Sequence, residues 1–222
     1  MSQRGPDWQK EITLAEHIVD MQSWSRAAQF HWFRAYERPH YAVTTRLTVT
    51  RLMTERKPRG VSPYRACLHA IGHGLHAVED LRTRFRGDQV VRHDRINLSV
   101  TVPKPDGGFN YADLPFDPDF DRFDGEAETR IRAARQRGTL GANDGAQDAV
   151  AYLTCVPWLD FTALDNALPD AQDCIPRVAW GKIVPEGLEW RMAVSIQVHH
   201  ALVDGAHLGA FFGAVQNALD RV

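Results

Sequence analysis

Two histidines stand side by side near the C-terminal end of the chain, in the string His199-His200-Ala201-Leu202-Val203-Asp204-Gly205. Imidazole is the one side chain whose ordinary pKa lets it take up and return a proton near neutral pH, so such a pair is a candidate for acid–base work. The residues leading into it, from Met192 onward, alternate as a β-strand in which Met192, Val194, Ile196, Val198 and His200 share one face. His200 continues that apolar face, whereas His199 falls in phase with Ser195 and Gln197 on the polar one. The two rings should therefore differ in environment, with only one desolvated, and the buried one, expected to be His200, is the better base. The plainer readings are a hydrogen-bonded core histidine at 200 and a simple helix N-cap at Asp204.

A second histidine group, His69, His73 and His76, lies at i, i+4 and i+7 of a proposed helix and shares one face. That geometry suits a metal, but no carboxylate is placed as in HExxH, since Glu79 and Asp80 merely end the helix. No metal is expected, and a polar, hydrogen-bonded stripe is the simpler account. Gly72-His73-Gly74 opens no strand-to-helix phosphate loop and reads as close helix packing.

Around these residues the pattern predicts a short amphipathic helix over 23–36, a strand over 42–50 and a core helix over 63–81, with Pro63 in its first turn. Phe85-Arg86-Gly87-Asp88-Gln89 reads as a hairpin turn followed by a strand over 96–102. The Pro-, Gly- and Asp-rich stretch from Pro103 to Pro118 reads as a long functional loop carrying Phe109 and Tyr111. A helix over 120–138 has its acidic residues early and its arginines late, matching the helix dipole. Strands follow over 149–156, 177–184 and 188–199, the last two joined by Pro185-Glu186-Gly187. Asp204-Gly205 then turns the chain into a final helix marked by Leu208, Phe211, Phe212, Val215 and Leu219. This order predicts an α/β sandwich with a largely central sheet.

The chain of 222 residues suits one domain, spanning 1–222, and a net charge of -2 argues against a dedicated nucleic-acid binder. Cys67, Cys155 and Cys174 form no CxxC and leave one over, which suggests neither a disulfide framework nor a zinc ribbon and fits a reducing cytoplasm. Met1 to Lys10 is polar and lacks an apolar signal core, and no membrane segment is expected.

The string at 199–205 resembles the HHxxxDG signature of coenzyme A-dependent acyltransferases. Nonribosomal peptide condensation domains and wax ester synthases share it, but as two fused halves in longer chains. The rest of this sequence resembles the chloramphenicol acetyltransferase family in particular. Trp24-Ser25-Arg26 with Phe30 and Phe33 is similar to its W-x-R-x-x-x-F segment, and Val156-Pro157-Trp158-Leu159-Asp160-Phe161 to its PWxxF strand. Gly181-Lys182 falls where the family has a small residue and lysine, and 196–207 matches IQVHHAxxDGxH. The resemblance runs in consistent order from Trp24 to the end.

It implies a two-layer α/β sandwich with a central mixed β-sheet, and an O-acetyltransferase moving an acetyl group from acetyl-CoA to a hydroxyl of chloramphenicol or a similar alcohol. No cofactor would be permanently bound. His200 would be the general base and Thr154 the oxyanion donor. Asp204 would pair with Arg26 as an architectural support rather than a triad acid. Lys182 would meet coenzyme A and Phe33 would line the acceptor site. A single motif copy implies a homotrimer with active sites between subunits, Phe33 and the 103–118 stretch being the expected wall. The sequence departs from the family pattern where Thr154 stands for serine, Ala179 for threonine and Gly60 for a lysine, with Arg56, Lys57 or Arg59 as possible substitutes. Competing readings are a non-catalytic trimeric scaffold of the same fold, an acyltransferase with an unrelated acceptor, and the acyltransferase core of a 2-oxoacid dehydrogenase, for which no lipoyl domain or Pro/Ala-rich linker precedes residue 24.

Overall fold

The computed structural model describes residues 15–141 and 147–221, so Met1 to Lys10 lies outside them. The chain runs β1 (Glu16–Ile18), α1 (Ala27–Arg34), β2 (His40–Thr48), α2 (Pro63–Ala77), β3 (Thr83–Arg86), β4 (Gln89–His93), β5 (Asn97–Pro103), β6 (Phe109–Leu114), α3 (Phe120–Gln136), β7 (Val150–Cys155), β8 (Arg177–Trp180), β9 (Val184–Glu186), β10 (Glu189–His199) and α4 (Gly205–Leu219). Strands β2, β10, β8, β7, β5 and β6 form, in that order, a sheet whose seventh strand, β9, pairs with β10. Strand β7 is parallel to β5 and β8, and the remaining pairs in this sheet are antiparallel, so the sheet is mixed. A separate three-stranded sheet joins β1, β4 and β3. Among the described residues no helix is long and apolar enough to cross a membrane.

Register explains why the sheet has one helix-covered face. Val100 pairs with Leu153, Leu153 with Val178 and Val178 with Ile196, so these residues point the same way, into the layer of α2, α3 and α4. The helices pack closely there because glycines let them. A Cβ added at Gly74 would lie 2.9 Å from the Phe211 ring of α4, and one at Gly72 would lie 2.5 Å from the ring of Phe116. Overpacking of this kind costs about 1–3 kcal/mol, and the close-packing reading of Gly72-His73-Gly74 holds.

The opposite face is polar. Its rows run Ser99–Tyr152–Arg177–Gln197 and Thr154–Ala179–Ser195 across neighbouring strands. Over β10 this face is covered by an irregular strap, residues 162–173. The strap's backbone accepts from Ser195 Oγ at Leu164 O (3.0 Å) and donates to Gln197 Oε1 from Asn166 N (2.9 Å), while Gln197 Nε2 donates to the Asp165 carboxylate. Ser195, Gln197 and His199 are consequently 0 %, 4 % and 2 % exposed.

Two sequence expectations need correction. The stretch from Pro103 to Pro118 is not a long loop. Gly107 and Gly108 take φ of 90° and 71°, conformations that suit glycine, and turn β5 directly into β6. The Gly and Pro density marks a hairpin, and the alternation of Asn110, Ala112 and Leu114 as buried residues belongs to a strand. The strand expected over 177–184 is also two. After Trp180 the chain leaves the sheet, with Lys182 N donating to Leu159 O at 2.7 Å, and rejoins it as β9.

Candidate active site

Arg26, at the N-terminal edge of α1, reaches across to the turn between β10 and α4 and is 7 % exposed. Its guanidinium donates to Ala201 O (3.1 Å), His200 O (2.9 Å) and Asp204 Oδ2 (2.6 Å). Asp204 at the same time caps α4, accepting from Ala206 N at 3.1 Å, while its own N–H donates to His207 Nδ1 at 3.1 Å. The cap and the arginine partnership are thus one arrangement, not alternatives. Burial works against the Asp204 charge, but the Arg26 hydrogen bond and the neighbouring His207 and Arg26 charges outweigh it and hold the carboxyl below its ordinary pKa.

The two histidines are locked in opposite tautomers by backbone groups. His200 Nδ1 lies 3.1 Å from Val203 O, an atom that can only accept, so Nδ1 carries the proton and Nε2 keeps its lone pair. His199 Nδ1 instead accepts from Ala201 N at 3.1 Å, which places its proton on Nε2, facing Ala171 O of the strap at 3.1 Å. The expectation that His200 would be the desolvated ring is overturned: His199 is 2 % exposed and His200 only half-buried. The strap supplies the reason, because it covers the polar face that strand phasing alone leaves to solvent. Burial pushes the His199 pKa down to about 4, the charges of His40 and Arg34 adding to the effect. A ring that is buried, bonded at both nitrogens and held neutral is a structural element. The half-buried His200, with a free lone pair, is the one able to meet a substrate proton.

Phe33, on α1, stacks on the His200 ring with centroids 3.8 Å apart and planes 13° from parallel, and the Tyr41 ring lies 4.7 Å away. Between them they fix the plane of the imidazole. Tyr41 and the carbonyl of Val203 were not among the sequence candidates, and neither was the capping role of His207, although the terminal histidine of the motif was a signal for it.

Thr154 lies elsewhere. It lines a cleft of about 690 Å³ together with Ser99, Thr101, Tyr111 and strap residues, and His200 does not line that cleft. Thr154 is level with Ser195 through Ala179, two strand spacings away, and His200 is five residues beyond Ser195. At about 3.3 Å per residue and 4.8 Å per strand, the two positions are about 19 Å apart in one chain. Of the expected site residues the structure brings together His200, Arg26, Asp204 and Phe33, and leaves Thr154 apart from them. Lys182 is exposed beyond β8, next to Gly181, where a Cβ would meet Leu159 O at 2.6 Å. Gly60 has φ of 90°, a conformation that disfavours the lysine expected there, and Arg56, Lys57 and Arg59 lie in the turns just before it.

The histidine stripe of α2 is hydrogen-bonded. His76 donates from Nδ1 to Gly72 O (2.8 Å), accepts at Nε2 from Ile96 N (3.2 Å) and stacks on Phe116. His69 Nε2 faces Asp117 O at 3.1 Å.

The sequence profile of chloramphenicol acetyltransferase matches residues 15–216. The chain belongs to the chloramphenicol acetyltransferase family. It is 27 % identical over 203 residues to the chloramphenicol acetyltransferase of Clostridium perfringens, covering 90 % of this chain and 93 % of that one. It is 23 % identical to chloramphenicol acetyltransferase 2 of Escherichia coli, over 92 % and 97 % of the two chains. A solved chloramphenicol acetyltransferase superposes with a TM-score of 0.87 over 92 % of this chain and all of that one, at 24 % identity. The cubic core of a pyruvate dehydrogenase multienzyme complex shares the fold more distantly, with a TM-score of 0.63 over 97 % and 95 % of the chains. Membership of the chloramphenicol acetyltransferase family makes the protein an acyltransferase, and the resemblance read from residues 24 onward is borne out.

Proposed function

We propose that the protein, as one domain, transfers the acetyl group of acetyl-CoA to a hydroxyl of chloramphenicol or a chloramphenicol-like alcohol, with acetyl-CoA as co-substrate and no resident cofactor. The observation that carries this reading is the Nδ1–H contact of His200 with Val203 O, which leaves Nε2 as a base of fixed orientation. Nε2 takes the proton of the acceptor hydroxyl as its oxygen attacks the thioester carbonyl. The Thr154 hydroxyl donates to the oxyanion of the tetrahedral intermediate. Collapse breaks the carbon–sulfur bond, and the coenzyme A thiolate leaves with the proton returned by His200. Arg26 and Asp204 act architecturally, holding the turn that presents His200, while Phe33 walls the imidazole and Lys182 meets coenzyme A.

A distance of about 19 Å is too long for one acceptor oxygen to touch His200 while its oxyanion touches Thr154 in the same chain. It supports a homotrimer in which His200 of one subunit faces Thr154 of the next, a closed heterologous ring. Acetyl-CoA thiol release tests the reading. Release that requires chloramphenicol and disappears in His200→Ala supports it; release unchanged in His200→Ala overturns it.

A further inference from the structure

The oxygen that fixes the His200 tautomer has a second partner. Val203 O accepts from His200 Nδ1 at 3.1 Å and from the Tyr41 hydroxyl at 3.3 Å. A carbonyl oxygen carries two lone pairs and no proton, so it is the acceptor in both contacts and both neighbours are donors. Strand register puts Tyr41 there. It pairs with Val198 across β2 and β10, so its side chain shares the face that Val198 passes on to His200. Where the two strands part, His200 N donates to Pro39 O at 2.9 Å. The phenol stays a donor throughout the working range: burial, with the Asp204 charge adding to it, pushes its pKa up to about 12 against the opposing pull of Arg26.

Two donors on one oxygen are not independent, because both draw on the same carbonyl dipole and each leaves less for the other. The Nδ1–H of a protonated imidazole is a charged donor and bonds more strongly than that of the neutral ring, so it loses more by the sharing. Weakening a hydrogen bond that the charged form makes best favours the neutral form, and the neutral form is the base. The titratable and charged groups around this turn are Arg26 ahead of α1, His199 on β10, Asp204 and His207 at the start of α4, and Asp80, 3.4 Å from His207 Nε2. These act on the His200 ring through the backbone or through space, whereas Tyr41 bonds the very oxygen that Nδ1 bonds.

We infer that Tyr41 is a positioning residue for the general base: its hydroxyl shares Val203 O with His200 Nδ1, and so keeps the imidazole neutral, with Nε2 ready to take a proton, down to a lower pH than an unshared carbonyl would allow. The role lies in one oxygen atom. The Tyr41 ring, 4.7 Å from the imidazole, would give the same wall as a phenylalanine, so ring and hydroxyl separate cleanly by substitution. The consequence for catalysis rests on the reading of His200 as the base; the effect of Tyr41 on the ring does not.

The test is a titration of the histidine rings by nuclear magnetic resonance, on protein labelled with nitrogen-15 in its imidazoles, with the His200 signals identified by their loss in His200→Ala. In the native protein the neutral His200 ring should carry its proton on Nδ1, a result that needs no further variant. In Tyr41→Phe the His200 midpoint should move up by at least about 0.3 pH unit, about a twofold gain in proton affinity, with the signals of His199 and His207 unmoved. A neutral ring protonated on Nε2 in the native protein, a midpoint that stays or falls in Tyr41→Phe, or an equal disturbance of His199 and His207, as a merely loosened turn would give, overturns the inference. Thiol release from acetyl-CoA supplies the second arm: the acid limb of its kcat/KM profile should move up by the same amount in the variant. If the native protein releases no thiol, the transferase reading fails and the ring titration still decides the role of Tyr41; if the rings shift and the acid limb does not, Tyr41 does not serve the base and the inference falls.

Discussion

His199 should make the fold sensitive to mild acid by a calculable amount. Burial holds its imidazole neutral, with a pKa pushed down to about 4, while the unfolded chain takes up a proton below the ordinary value of 6.5. The folded state binds fewer protons in that window, so stability is complete above 6.5 and falls as the pH drops toward about 4. Between pH 7.5 and pH 5 the difference in proton uptake amounts to about 2 kcal/mol for this one residue. His76, half-buried and also pushed down to about 4 by desolvation, adds to the same slope, as do His69 and His73, both lowered by burial. His199→Gln removes only the titration of residue 199, since a carboxamide can still accept from Ala201 N and donate to Ala171 O. Urea unfolding of both proteins at pH 7.5 and pH 5, at one fixed protein concentration, reads the effect. The variant should lose about 2 kcal/mol less than the native protein on acidification. Parallel losses in the two proteins would refute the assignment of a neutral, desolvated His199.

His200→Ala should lower the rate of acetyl transfer by at least about a hundredfold with an unchanged circular dichroism spectrum, as expected for a lost base; melting at a lower temperature with activity retained would speak against that role. Thr154→Ser should stay active while Thr154→Ala loses about a hundredfold or more in kcat, the cost of an absent oxyanion donor, and equal rates for all three would remove Thr154 from the mechanism. Sedimentation at micromolar concentration should give a trimer, and an active monomer would contradict a site shared between chains.

The catalytic turn was legible because local rules agree there. An alternating strand ends at His199, Asp204 is a good N-cap residue, and Leu208, Phe211, Val215 and Leu219 recur at helical spacing. Strand phasing failed only in assigning burial. It treats the polar face of β10 as solvated, and nothing periodic in residues 162–173 announces a strap that bonds to Ser195, Gln197 and His199. The hairpin of β5 and β6 was hidden for a related reason, since Gly107 and Gly108 resemble loop composition although they form one tight turn. Arg26 and Asp204 are 178 residues apart, and no local signal can join them. That pair was available only through resemblance to a family, as was Thr154, whose separation from His200 becomes visible only from the strand order.

Mixing two inactive variants tests the shared site most directly. His200→Ala subunits keep Thr154, and Thr154→Ala subunits keep His200, so each mixed ring of three contains one junction with both groups intact. Random reassembly at equal ratio after mild unfolding should restore about a quarter of the native thiol-release rate, three-quarters of the rings being mixed with one good site in three. Activity no greater than the average of the two parents would show that His200 and Thr154 do not act across a subunit boundary.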